Sequence, residues 1–163
     1  AISNRVFYMD QGGIYEDGSP VQIFDHPKKE LTRRFIRQLK ILEILVDNRE
    51  FDFISAEVKI DNYCMQNDIT SKAKFQIRLA FEELVQQMLL TVLEKTSILV
   101  TIEYAALKEE AEVLVCYGGE KYNPAHGDNE FSFNILKRSV DELTYEYDPT
   151  AERGNIVRVL IRE

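Results

Sequence analysis

The stretch Thr70 to Lys95, TSKAKFQIRLAFEELVQQMLLTVLEK, constrains the fold more than any other part of the chain. Ile77, Phe81, Leu84, Met88 and Val92 recur at intervals of three and four, so a helix through them carries one continuous apolar face that has to be buried. Thr70 or Ser71 supplies a hydroxyl cap for the first turn. No Pro or Gly interrupts the run, and at 1.5 Å per residue it spans about 35–40 Å. Glu83 and Gln87 lie four residues apart and share one face. A carboxylate and an amide one turn apart are suited to activating a water and holding a metal-bound phosphate. They are equally what the solvated polar edge of a core helix presents.

With 163 residues, the chain suits one domain, or one domain with an appendage. Hydrophobic residues at 45% and charged residues at 29% are ordinary for a soluble globular chain. The net charge of −8 argues against a nucleic-acid surface, because phosphate binding needs clustered Lys and Arg. The one basic run, Lys28, Lys29, Arg33, Arg34 and Arg37, is the positive side of a helix that also holds Glu30 and reads as a local docking face or solvated surface. Cys64 and Cys116 stand far apart in the sequence and read as buried thiols in a reducing compartment. His26 and His126 are solitary, so no metal site is expected. No apolar run reaches the length of a membrane span and no signal peptide opens the chain. The expected location is cytoplasmic.

In chain order, residues 5–18 read as a β-hairpin turning at Gly12-Gly13. Ser19-Pro20-Val21-Gln22 is a helix start, with a hydroxyl cap, Pro in the first position and Gln three residues after the cap; Pro27 ends that helix. A second begins near Lys28, with Leu31, Phe35 and Leu39 on one stripe. This segment, NRVFYMDQGGIYEDGSPVQIFDHPKKELTRRFIRQL, resembles the C-terminal end of the ATP-binding subunits of polar amino-acid ABC importers over about the first 39 residues. In that family the segment follows the switch histidine and forms a hairpin and two small helices. The chain has no G-x-x-x-x-G-K-[ST] loop, no LSGGQ signature and no acidic strand before a catalytic glutamate. Without backbone amides and a lysine to cradle phosphates, this fragment is expected not to hydrolyse ATP itself. Residues 1–40 are therefore read as the tail of an ABC nucleotide-binding domain.

Residues 41–163 are read as a second, appended domain. Ile41–Val46 is a strand, 53–66 a helix with Ile54, Val58 and Tyr63 near one face, and 71–95 the long helix. Residues 98–104 and 113–117 alternate as a half-buried hairpin, and Phe133, Leu136, Val140 and Leu143 are spaced as a helix. Tyr145–Tyr147 and Ile156–Ile161 form a final hairpin, with Val157, Val159 and Ile161 facing one way and Arg158 and Arg162 the other. The order β-α-α-β-β-α-β-β predicts an α+β fold, a two-layer sandwich of one sheet and one helical layer.

That order, with IRLAFEELVQQML in the long helix, is similar to the GHKL ATPase fold of the anti-sigma-factor serine kinases. The resemblance implies Glu83 as catalytic base and Gln87 at the position of a magnesium-binding Asn. The glutamine is one methylene longer than that residue, which disturbs octahedral magnesium geometry. The family's D-x-G-x-G-F-x-P box falls on Tyr117 to Pro124, with Tyr117 in place of the adenine-binding aspartate, Gly119 kept, and Lys121 in place of the second glycine. The glycine-rich lid is missing from NEFSFNILKR. ATP and Mg2+ are what the resemblance implies, and since the motifs that would hold them are altered, no cofactor is assigned.

The two resemblances together describe a C-terminal portion of an amino-acid importer's ATP-binding subunit with an appended regulatory or dimerising domain. Its implied partners are a twin subunit, the transporter's membrane subunits and a small-molecule effector, and it would lie at the inner membrane face. Two alternatives stay open: a GHKL-type kinase module using Glu83, and a pure interaction module displaying Tyr104, Tyr117, Tyr122, Tyr145 and Tyr147, which sheet packing would equally explain.

Overall fold

The computed structural model describes residues 4–10, 12–39 and 41–163, without the side chains of 10, 34 and 37–39. The chain forms two compact units, Ala1–Ile41 and Leu42–Glu163.

In the first unit, β1 (Val6–Asp10) and β2 (Gly13–Gly18) pair antiparallel, with a register shift between Tyr8 and Met9. Gly12 turns between them at φ 78°, a conformation that suits glycine. Helix α1 (Pro20–Asp25) starts as its sequence dictates, because the Ser19 hydroxyl accepts the Gln22 amide at 3.2 Å. Helix α2 (Glu30–Leu39) is anchored from a distance. The buried Glu16 carboxylate accepts the amides of Lys28 at 2.8 Å and Lys29 at 3.0 Å, just ahead of its first turn. The stripe that α2 buries contains Thr32 and Ile36, one residue on from the expected Leu31 and Phe35, which are exposed. Phe35 instead leans on the Tyr8 ring at 5.0 Å. Of the basic run, Lys29 sits over the Tyr15 ring at 4.5 Å and Arg33 pairs with Glu30 at 2.9 Å. The side chains of Arg34, Arg37 and Leu39 lie outside the described residues.

The second unit is a five-stranded sheet with its helices packed on one face, the α+β two-layer sandwich the element order predicts. Its strands are β3 (Ile41–Val46), β4 (Ile98–Ala105), β5 (Glu110–Tyr117), β6 (Glu142–Tyr147) and β7 (Asn155–Arg162). They lie in the order β3-β4-β5-β7-β6, and the pairs β4–β5, β5–β7 and β6–β7 are antiparallel. Alternation decides the faces: Val100, Ile102, Val113, Val115, Val157 and Val159 point under the helices, and Arg158 and Arg162 point away. Gly154 closes the β6–β7 turn where no side chain fits, since a Cβ there would lie 2.1 Å from the Asp148 carbonyl oxygen.

Helix α3 (Phe53–Gln66) is capped by Asp52, which accepts the Ser55 amide at 3.0 Å. It buries Ala56, Ile60, Tyr63 and Cys64, so the expected face is only partly right: Tyr63 is inside, while Ile54 (78% exposed) and Val58 point to solvent. On another flank of the helix Arg78 meets Glu57 at 2.7 Å and Asp61 at 3.6 Å, partly exposed ion pairs that accompany this rotation.

Helix α4 (Ser71–Phe81) starts on Thr70, whose hydroxyl accepts the Ala73 amide. The helix does not continue as a regular α-helix. Residues Glu82–Leu89 are π-helical, α5 (Leu90–Val92) follows, and Leu93 is extended, short of the expected Lys95. Ile77, Phe81, Leu84 and Met88 are buried as their spacing predicts, but Val92 is 42% exposed and Leu89 and Leu93 are buried instead. In the π-helical segment each turn closes one residue later than in an α-helix, which rotates everything after it.

Helix α6 (Glu130–Ser139) carries Phe133 and the buried Leu136, but the apolar spacing overruns it. Val140 is already extended and Leu143 belongs to β6, because a strand's alternation can imitate helical spacing over two residues.

Burial holds the Cys64 thiol up at about 11 and raises that of Cys116, which is only half-buried on the sheet. Iodoacetamide at neutral pH is therefore expected to modify Cys64 only as fast as the unit unfolds; modification in native buffer at the rate of a free thiol would contradict this packing. Ile77→Ala should cost about 2–5 kcal/mol in urea unfolding.

Candidate functional site

The loop after β5 is shaped by an asparagine. Asn155, fully buried at the start of β7, accepts the Tyr122 amide at 2.9 Å and the Tyr145 hydroxyl at 2.7 Å through Oδ1. Its Nδ2 donates to the Glu120 carbonyl at 3.0 Å and the Tyr117 carbonyl at 3.4 Å. Tyr117 closes the same circuit, its hydroxyl donating to the Tyr122 carbonyl at 2.6 Å. Gly119 makes the turn between them at φ 95°. Sequence reasoning passed over Asn155, yet a signal was there. An Asn in register with Val157, Val159 and Ile161 falls on the buried face of a strand, where a polar side chain must find partners.

Above this loop lies an open cleft of ≈ 460 Å³ between Val92–Lys95 and Gly118–Tyr122. Of the five candidate residues, it brings together Gly119 and Lys121. Lys121 is exposed, with its ammonium 5.9 Å from the centre of the Tyr147 ring. Tyr117 is wholly buried beneath the loop, and burial raises its hydroxyl above the ordinary tyrosine range. Glu83 and Gln87 lie in the π-helical segment and do not line the cleft. Gln87 is exposed, whereas Glu83 keeps one carboxylate oxygen, Oε2, buried without a hydrogen-bond partner.

The resemblance to a nucleotide box gives Tyr117 the place of an adenine acceptor. That place is taken by a phenol whose proton is committed to the Tyr122 carbonyl, and the loop is tied down by Asn155. At the positions that the resemblance gives to magnesium and to the base, Gln87 is exposed and Glu83 is half-buried. Among the described residues no cluster of three His, Cys, Asp or Glu could hold a metal ion. Of the tyrosines suggested as a display patch, Tyr104 and Tyr117 are buried and Tyr122 and Tyr145 are half-buried, as sheet packing requires; only Tyr147 is exposed.

Comparison with known proteins finds similarity over short segments. The chain is 47% identical over 38 residues to the probable amino-acid import ATP-binding protein YxeO of Bacillus subtilis, which is 23% of this chain and 15% of that protein. It is 45% identical, with the same coverage, to the L-cystine import ATP-binding protein TcyN of the same organism. Against the methionine import ATP-binding protein MetN 2 of Listeria innocua the identity is 37% over 54 residues, 29% of this chain and 16% of that one. The chain thus spans about 15% of the length of the curated relatives it matches. No family profile matches it. Among the described residues no helix is long and apolar enough to cross a membrane.

Three substitutions test the loop's construction and the buried Glu83 oxygen. Asn155→Ala should lower stability by about 2–4 kcal/mol, since it strands several buried partners at once, against about 1 kcal/mol for Tyr117→Phe. Glu83→Gln should stabilise the fold by about 1 kcal/mol, because it replaces a carboxylate holding an unpartnered buried oxygen with a neutral amide. Thermal unfolding of the variants gives the order; an unchanged Asn155→Ala or a destabilised Glu83→Gln would refute it.

Proposed function

We propose that this chain is a C-terminal portion of the ATP-binding subunit of an amino-acid importer, in which residues 1–40 are the tail of the nucleotide-binding domain and 41–163 an appended regulatory or dimerising domain. The observation that carries the reading is the similarity of a short segment to importer ATP-binding proteins, at 35–50% identity over 36–54 residues. In this reading the whole protein couples ATP hydrolysis to uptake, works as a pair against the transporter's membrane subunits, and lies at the cytoplasmic membrane face. The segment itself performs no hydrolysis, since it has no phosphate loop. The appended domain is of GHKL-like order, with Gln87, Tyr117 and Lys121 at its altered nucleotide positions, Gly119 at a kept one and Glu83 at that of the base.

A regulatory role is favoured over phosphoryl transfer by Glu83, because the Tyr117 hydroxyl is engaged by its own loop and no side chain replaces the missing aspartate. The reading frame that encodes the chain is the first test: a phosphate loop and ABC signature upstream support the assignment, and their absence ends it. Calorimetric titration with ATP and ADP, with and without Mg2+, is the second. No heat is expected up to millimolar nucleotide; micromolar binding lost in Glu83→Ala would restore the kinase reading.

A further inference from the structure

The five-stranded sheet has a second face, and none of the helices of its unit packs there. Leu99, Cys116 and Ile156 stand side by side across β4, β5 and β7, with Leu114 next along β5, and Leu160 lies farther along β7 beyond Arg158. All five are half-buried, and none belongs to the core under the helices. The charges around them are lopsided. Strand alternation places Glu43, Glu103, Glu110, Glu112, Glu142 and Glu146 on this face, against Arg158 and Arg162.

Both strand arginines are already engaged, Arg158 with Glu112, and Arg162 with Glu110 at 3.2 Å and Glu142 at 2.8 Å; a third cation, Arg153 in the turn before β7, lies close enough to act on Cys116 and donates through Nε to the Ser97 hydroxyl at 3.1 Å. Glu103 stands directly across the ladder from Glu112, a like-charged pairing that weakens a sheet, and Glu146 borders the apolar row at Ile156. An apolar centre inside an acidic border is an unfinished interface, and its surplus charge states what is missing. A second copy brings the same surplus of carboxylates, and anionic lipid or nucleic acid is repelled.

We propose that this sheet face docks a basic amphipathic helix of a protein partner. The helix would form a third layer, its apolar stripe over Leu99, Cys116 and Ile156 and its Lys or Arg borders against Glu103 and Glu146. The surface stands independently of the importer assignment, because it rests on strand register, burial and charge within the second unit.

Cys116 reports on the site from its centre, and Cys64 is an internal control buried on the other face. The probe is a fluorescein-labelled helical peptide with Leu along one stripe and Lys and Arg on both borders; its counterpart has Glu at every basic position. Titrated against the whole chain by anisotropy, the basic peptide should bind, weaken in ~0.5 M salt, and slow alkylation of Cys116. The double substitution Glu103→Lys, Glu146→Lys should raise its Kd about tenfold or more. The proposal falls if the acidic peptide binds as well, if the double substitution leaves Kd unchanged, or if Cys116 stays equally reactive with peptide bound. It also falls if the basic peptide does not bind, or if the chain alone self-associates and shields Cys116, which would make a second copy the occupant.

Discussion

One primary amide governs the open end of the larger sheet. Asn155 begins β7, the strand held between β5 and β6, and its side chain uses two acceptor contacts and two donor contacts at once. A buried amide left partly unpaired is costly, so the four groups it serves have to stay where they are. Tyr145 is thereby tied to the edge strand's neighbour, and the carbonyls of Tyr117 and Glu120 are turned inward. The cleft wall at Gly118–Tyr122 is a rigid rim, shaped by the strand beneath it before any ligand arrives.

The same circuit explains why the residues compared with a nucleotide box read differently in space than in sequence. Tyr117 is a filled position, bonded to its own loop, with no lone side-chain acceptor offered to a base. Lys121, which would crowd a loop that has to lie against phosphates, turns outward over Tyr147. What a residue-by-residue comparison takes one position at a time is one loop with its own internal bonding.

Elements whose signals are local were legible in the chain: the Ser19-Pro20 helix start, the strand Ile41–Val46, the span of α3 and the alternation of β7. Faces were harder. In α2 and α3 the apolar residues outnumber those that are buried, and the stripes that go inside come with long-range polar contacts, Glu16 with the amides before α2 and Arg78 with Glu57. Spacing offers no account of such contacts. The candidate site was least legible, because Glu83 and Gln87, assigned by position on a regular helix, lie in a π-helical segment, and Asn155 entered no motif.

The π-helical segment Glu82–Leu89 bears on how this chain is to be matched with others. A helix that closes its turns late holds more residues over the same reach than an α-helix does. Counting along it from a relative whose helix is regular lands on the wrong side chain once the segment is passed. Val92 to Lys95, which wall the cleft, lie beyond that point. Their counterparts elsewhere are those that occupy the same place in space, whatever their number in an ungapped alignment.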